Sequence, residues 1–362
     1  MLPVTLLTGV DEPFRAAVAG NLLAEAGPAG VLVEYDVSRL AAGSVVRIAR
    51  TANGVIDREE IRMDHPCVSC AMRDSLVPLL VSIAAVGRYG VAIVSVPGAG
   101  DSQALAEEIA RDAALRMDAV ITTVDIGTVV DDLTGDQLIQ ERGISTAAED
   151  GRAIAEVIAR QLEHANAVVL SSDDETARAL VQAINPQALV RTTPAGLLGV
   201  RMHETRTEPG SVSAPLQEGG PVQTLVWQSG RPFHPERLYD ALEDLVAGTA
   251  RGRGTVWLST QPHNRLGWDS FGTNIAVRVL GPWLADLPVE RWPEAGQTHQ
   301  ARSALEWHPE HGDRASYLSI TGVGLDVREL RARLDGCVLR ADEPAGALTD
   351  PFAPYLEGST AA

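Results

Sequence analysis

The chain has 362 residues, 45% of them hydrophobic, with 30 basic residues against 48 acidic ones and a formal net charge of -18. All 30 basic residues are arginine, which excludes mechanisms built on a phosphate-binding P-loop lysine, a Schiff base or a lysine general base. The acidic balance argues against wrapping a nucleic-acid backbone, which needs local positive charge; it keeps a protein soluble and suits a basic protein partner reached by long-range steering.

Length suggests two domains, since single cores stop growing at roughly 250–300 residues. Three cysteines (Cys67, Cys70, Cys337) are an odd number in a long chain and form no disulfide framework. The opening MLPVTLLTGVDEPFR has no charged leader, and its apolar run breaks at Gly9 and Asp11, so it reads as a buried strand rather than a signal peptide. No run approaches 18 apolar residues, which leaves no membrane-spanning helix in the expected architecture. The expectation is a cytoplasmic protein with no membrane contact and no direct nucleic-acid contact.

In chain order, residues 4–8 form a short apolar strand that stops at Gly9, and 13–26 read as a helix entered at Pro13 and closed by Gly27. Residues 31–35 are a second strand. The stretch 44–63 predicts a hairpin around Asn53-Gly54, the dipeptide of a type I′ turn. Strands at 91–96, 119–124, 167–170 and 188–191 alternate with helices near 72–86, 102–116, 151–165 and 174–184. Such repeats predict an α/β domain with a mostly parallel sheet over residues 1–202.

Residues 203–221 lose all periodicity and read as a Gly/Pro/Ser/Glu linker. A smaller α+β domain is expected over 222–340. Its strands fall at 222–228 and near 254–259, 274–280, 303–308 and 315–320, with helices near 235–248 and 326–337. An acidic tail, 341–362, is expected to run over the surface.

The order of these pieces resembles the CobW family of P-loop GTPases, known for metal trafficking. PVTLLTG (3–9) matches the family's first strand, and VDEPFRAAVAGNLL (10–23) its GxxGxGKT loop and helix. PCVSCAMRDSLVPLL (66–80) resembles the CxCC motif and following helix, MDAVITTVD (117–125) the next strand, and ARQLEHANAVVL (159–170) the helix and strand before the guanine-reading motif. RPFHPERLYDAL (231–242), RGTVWLSTQP (253–262) and HGDRASYLSITGVGLD (311–326) resemble the family's C-terminal domain. The resemblance implies a P-loop-GTPase-like domain followed by the CobW C-terminal domain.

The departures bear on chemistry. Glu12 and Phe14 stand where phosphate-cradling glycines belong, Arg15 at the lysine and Ala16 at the Mg²⁺-binding hydroxyl. SVPGAGD (95–101) keeps Gly98 and Asp101 but has Ser95 for a glutamate; SSDD (171–174) keeps only Asp174 of the guanine-reading motif. These losses predict a degenerate P-loop without efficient GTP hydrolysis and without a GTP/Mg²⁺ cofactor. HPCVSCAMRDSL (65–76) together with Asp350-Pro351-Phe352 resembles an actinobacterial branch that recruits a ribosome hibernation factor under zinc limitation. That likeness implies an adaptor whose partners are the hibernation-promoting factor and the ribosome. The alternative is a zinc metallochaperone or zinc sensor, with or without residual GTPase activity.

Cys67 and Cys70 form C-x-x-C, with Ser69 where the family has its middle cysteine and His65 as the nearest third ligand. Metal binding by His65, Cys67 and Cys70, a reversible disulfide, and inherited packing residues all fit the spacing. Arg73 and the helix start are expected to lower the thiol pKa. Cys337 falls on the apolar face of the last helix. His308 and His311 have ligand-like spacing but flank a proline in what reads as a turn, and His234 sits at a helix entry. All six tryptophans lie after residue 226; core is expected for most, with Trp268 in a Gly-bounded loop as the exposed contact.

Overall fold

The computed structural model describes residues 1–147, 150–199, 210–211, 220–343 and 348–356. The expected linker, apart from residues 210, 211, 220 and 221, lies outside the described residues. The chain divides into two compact units: Met1–Asp132 with Gln137–Arg206, and Leu133–Asp136 with Thr207–Ala362.

The first unit is an α/β fold. Its strands are β1 (Leu2–Thr8), β2 (Gly30–Asp36), β3 (Ser44–Thr51), β4 (Gly54–Arg62), β5 (Val91–Ser95), β6 (Leu115–Val124), β7 (Ala167–Leu170) and β8 (Leu189–Arg191). They form one sheet in the order β4-β3-β2-β5-β1-β6-β7-β8. The β2–β3 and β3–β4 pairs are antiparallel and the other pairs parallel. Helices α1 (Glu12–Ala26), α2 (Val68–Val86), α3 (Ser102–Ala110), α4 (Val129–Thr134), α5 (Ile154–His164) and α6 (Glu175–Ile184) connect the strands. Two apolar clusters form the core. One joins Val4, Leu6, Val33 and Val94 to Met72, Leu76 and Leu80 of α2; the other joins Leu7, Leu32 and Ile93 to Val18 and Leu22 of α1. Because β1 contributes alternate residues to both, it is apolar almost throughout, as a strand covered on each face must be.

Two expectations change here. The hairpin forms, but Asn53 does not take positive φ; only Gly54 does, at 126°, so the turn is not type I′. Thr51 Oγ1 instead accepts from the Asn53 N–H at 3.2 Å. Helix α2 is long and apolar enough to cross a membrane, contrary to the sequence count, because a few polar residues near its start do not offset the later apolar run. Val68, Met72, Leu76, Leu80 and Ile83 lie in the sheet core, which makes α2 a core helix of this unit.

The second unit carries a five-stranded antiparallel sheet, made of β9 (Val222–Ser229), β10 (Thr249–Val256), β11 (Asn264–Phe271), β12 (Asn274–Pro282) and β13 (Ser316–Val323), in the order β12-β11-β10-β13-β9. Its helices are α7 (Pro235–Asp240), α8 (Leu242–Val246), α9 (Gln297–Glu306), α10 (Val327–Cys337) and α11 (Ala353–Leu356). The single helix expected over 235–248 is therefore two, parted at Ala241. Residues 303–306, expected as strand, are the end of α9. The last described stretch is not a free surface tail. Asp350 accepts from Thr260 Oγ1 at 2.9 Å and Gln261 Nε2 at 2.8 Å, and Phe352 and Leu356 join the core of this unit.

Candidate metal centre and the closed P-loop segment

Gly9 ends β1 with φ 140°, and a Cβ there would lie 2.0 Å from Thr123 Oγ1 and 2.7 Å from the Thr123 carbonyl on β6. The chain then enters α1 early. Asp11 is the N-cap: its Oδ1 accepts the Phe14 N–H at 2.7 Å and its carbonyl accepts the Arg15 N–H at 3.0 Å. A phosphate cradle works by aiming such backbone N–H groups at an anion. Here a carboxylate of the chain itself occupies that position. Sequence reasoning passed over Asp11, although an Asp two residues before a Pro at a helix start is a capping signal.

Arg15, at the lysine position, is 7% exposed and points inward, donating to the Gly9 carbonyl and, at 3.3 Å, to Ser95 Oγ. Burial lowers its pKa, against the opposing pull of Glu12 and Asp11. Phe14 packs on the Leu7–Leu22 cluster. Beside Asp11, Thr123, Asp125 and Asp132 there remains a cavity of about 10 Å³, space for about one water. The Phe14 and Arg15 backbone N–H groups, which a phosphate would need, are thus already engaged within the chain.

The residues retained from the family pattern do local work. Asp101 caps α3, accepting from Gln103 and Ala104 N–H groups at 2.9 and 3.1 Å. Asp174 caps α6, accepting from Ala177 at 2.7 Å, while Ser171 Oγ donates to Asp125 at 2.8 Å.

The loop between β4 and α2 brings His65, Cys67 and Cys70 together, with their ligand atoms all within 4.8 Å of one another. His65 Nε2 lies 3.6 Å from Cys70 Sγ. The proximity has a local cause: Cys67 is the N-cap of α2, its Sγ accepting the Cys70 N–H at 3.2 Å, so one helical turn sets the spacing of the two sulfurs. His65 is exposed and both cysteines are half-buried and free. Two sulfurs and an imidazole form a donor set suited to zinc, with room for a further ligand from solvent or a partner. The Cys70 thiol is raised, not lowered as expected: its hydrogen bond with Cys67 and then burial outweigh Arg73.

This loop is stitched to the segment after α4. Val68 N–H donates to the Thr146 carbonyl at 2.9 Å, and Cys67 pairs with Ala147 in an isolated bridge. Arg152 then ties Asp150 to the Ala99 carbonyl, at 2.6 and 2.8 Å.

The other candidates are placed elsewhere. Cys337 is buried on α10, its thiol raised by burial. His308 and His311 lie in a tight turn closed by paired hydrogen bonds between His308 and Gly312, with their rings stacked 3.8 Å apart. His234 caps α7, its Nδ1 accepting from Arg237 at 3.4 Å. Trp268 is not an exposed contact: it is 1% exposed, because the stretch around it is β11, between β10 and β12. Trp227 and Trp283 are also buried, whereas Trp307 is 43% exposed.

Residues 222–338 match the family described as the cobalamin synthesis protein CobW C-terminal domain. A zinc chaperone of Mycobacterium tuberculosis is 26% identical, covering 98% of this chain and 93% of its own length. The zinc-regulated GTPase metalloprotein activator 1 of Dictyostelium discoideum is 23% identical, over 77% of this chain and 66% of that protein. Among solved structures, the zinc-bound YjiA GTPase of E. coli is 16% identical and covers 93% of this chain and 99% of that one, with a TM-score of 0.39. Its C-terminal stretch thus matches the CobW C-terminal domain, and along nearly its whole length the chain is similar to a zinc chaperone.

Proposed function

We propose that this protein is a zinc-handling member of the CobW family that works as a binding protein rather than as a GTP hydrolase. The observation that carries the reading is the convergence of His65, Cys67 and Cys70 at the start of α2. The names of its mycobacterial and slime-mould relatives support zinc as the ion. The Asp11 cap supports function without a bound triphosphate, since an anion there meets a carboxylate and spent N–H groups.

The finer reading is an adaptor that holds a ribosome hibernation factor and delivers it to the ribosome when zinc is scarce. It rests on the likeness of HPCVSCAMRDSL and on the acidity of the chain, which suits a basic, ribosome-bound partner. Asp350 and Phe352, the other part of that likeness, act within the second unit's own packing.

Zinc titration of the reduced chain against a chromophoric chelator tests the metal reading. One zinc per chain is expected. Four-ligand zinc sites are worth about 10–16 kcal/mol, so losing one thiolate in Cys70→Ser should weaken binding about 100-fold. Stoichiometry and affinity unchanged in the Cys67→Ser, Cys70→Ser double variant would overturn it. For the adaptor, affinity capture from zinc-starved cells should return a ribosome-associated protein, and its absence from the captured set would refute that step.

A further inference from the structure

The second unit holds a groove with no role in the metal chemistry. Two 3₁₀ turns, Leu284–Asp286 and Val289–Glu294, face α9, which buries only Ser303 of its ten residues. Between them lies a cavity of about 630 Å³ whose walls are Leu284, Trp292, Ala301, Ala304 and Trp307. Its floor is fixed: the Trp292 indole N–H is held by the Leu284 and Leu287 carbonyls at 3.1 and 3.3 Å, and its ring meets that of Trp307 at 5.3 Å. On the same turn and helix as lining residues, Val289 and Leu305 are 65% and 85% exposed, and Trp307 of the wall is 43% exposed.

The stretch that carries this apolar strip is rich in charge. Asp286, Glu290, Glu294, Glu306 and Glu310 are all exposed along 284–310, against Arg291 and Arg302. Arg291 pairs with Glu294 at 2.8 Å and Arg314 with Asp286, while Arg302 lies 4.4 Å over the Tyr317 ring, which leaves Glu290, Glu306 and Glu310 against Arg302. The rim is therefore acidic. Inside, Gln300 and Ser303 offer polar atoms, but Ser303 Oγ donates to the His299 carbonyl at 2.8 Å and Gln300 Nε2 to the Ala295 carbonyl. Small-molecule pockets orient their ligands with convergent polar groups, and this groove carries its polarity on the outside.

We propose that this groove docks a basic amphipathic helix of a protein partner. Apolar side chains at helical spacing fill the strip between Trp307 and Leu284, while lysines or arginines on the helix flanks face Glu290 and Glu310. A second copy of this chain is a poor occupant, because it would set acidic rim against acidic rim in a molecule of net charge -18.

The test uses the full chain and two synthetic 18-residue helical peptides with the same leucine face, one with lysine and one with glutamate on its polar face. Binding is read by calorimetry and tryptophan emission at two salt concentrations, with and without a zinc chelator. The lysine peptide should bind saturably at one per chain, more tightly at low salt and equally in chelator. Affinity should fall at least tenfold in Val289→Ser with Leu305→Ser, and in Glu290→Arg with Glu310→Arg. These are exposed positions, and circular dichroism confirms that the variants are folded. Equal binding of the glutamate peptide, undiminished binding in both variants, or no binding of either peptide would overturn the proposal. So would sedimentation showing a dimer that Leu305→Ser dissolves, since the occupant would then be a second copy.

Discussion

Arg15→Lys returns the side chain that a working P-loop uses at that position while leaving the net charge unchanged. In the structure the guanidinium reaches two acceptors at once, the Gly9 carbonyl and Ser95 Oγ, from a side chain that is almost wholly buried. A single ammonium group does not reproduce that planar fork. A hydrogen bond from a charged donor contributes about 1.5–3 kcal/mol. The Ser95 contact is long at 3.3 Å, so the expected loss lies toward the low end, about 1–2 kcal/mol. With a urea slope of roughly 2 kcal/mol/M, the unfolding midpoint should drop by about 0.5–1 M. All six tryptophans lie in the second unit, so the shift is read by circular dichroism, which reports on the first unit directly. GTP calorimetry on the variant should stay flat, because Asp11 still holds the N–H groups of Phe14 and Arg15. Saturable micromolar GTP binding by Arg15→Lys alone would refute the argument that the cap, rather than the missing lysine, closes the site.

Gly9→Ala should cost about 2–4 kcal/mol, combining backbone strain with overpacking. The added Cβ meets a main-chain carbonyl that Thr123→Ala does not remove, so a double variant that regains native urea stability would contradict this. Trp268→Ala should destabilise the second unit by about 3–5 kcal/mol in thermal melting, as removal of a large core side chain does, whereas an exposed loop tryptophan would give a change near zero. Glu343 is held down to about 2 by hydrogen bonds from Arg237 and the Arg340 N–H. A depressed carboxylate stabilises fully above its ordinary value of 4.5 and loses that contribution as pH falls toward 2. Melting of Glu343→Gln between pH 6 and 3 should therefore fall less steeply than that of the native chain, and identical slopes would count against the pairing.

The alternation of strand and helix in the first unit is legible because most parallel strands are compact apolar runs, several of them bounded by Gly, Pro or Asp. Pro13 marks the start of α1 within a residue. Strand β11 is harder, since Gly267 and Gly272 punctuate it as they would a loop. Gly267 is there because Leu280 of β12 fills the space where its side chain would stand, at 3.0 Å. Residues 303–306 mislead for the opposite reason: α9 has almost no apolar face of its own, so no helical period shows. At the candidate metal centre the donor types and spacing are readable in HPCVSC, but the Cys67 cap and the side-chain contact that raises the Cys70 thiol depend on backbone placement. Likewise, Arg15 is plainly a substitution in the sequence, while its inward direction depends on where the Ser95 and Gly9 oxygens come to rest.

The three donor atoms of the candidate metal centre come from one stretch between His65 and Cys70, not from distant parts of the chain. Gathering them closes a very short loop, so little chain entropy is spent, and the cost does not depend on the sheet being intact. Loading and release of an ion there would require only the first turn of α2 and the residues before it to adjust. The long-lived core formed by Leu76, Leu80 and the central strands need not open. Exchange at this centre can therefore be fast on the timescale of global unfolding. The Val68–Thr146 hydrogen bond is the point where amide hydrogen exchange would register whether that local event spreads beyond its own loop.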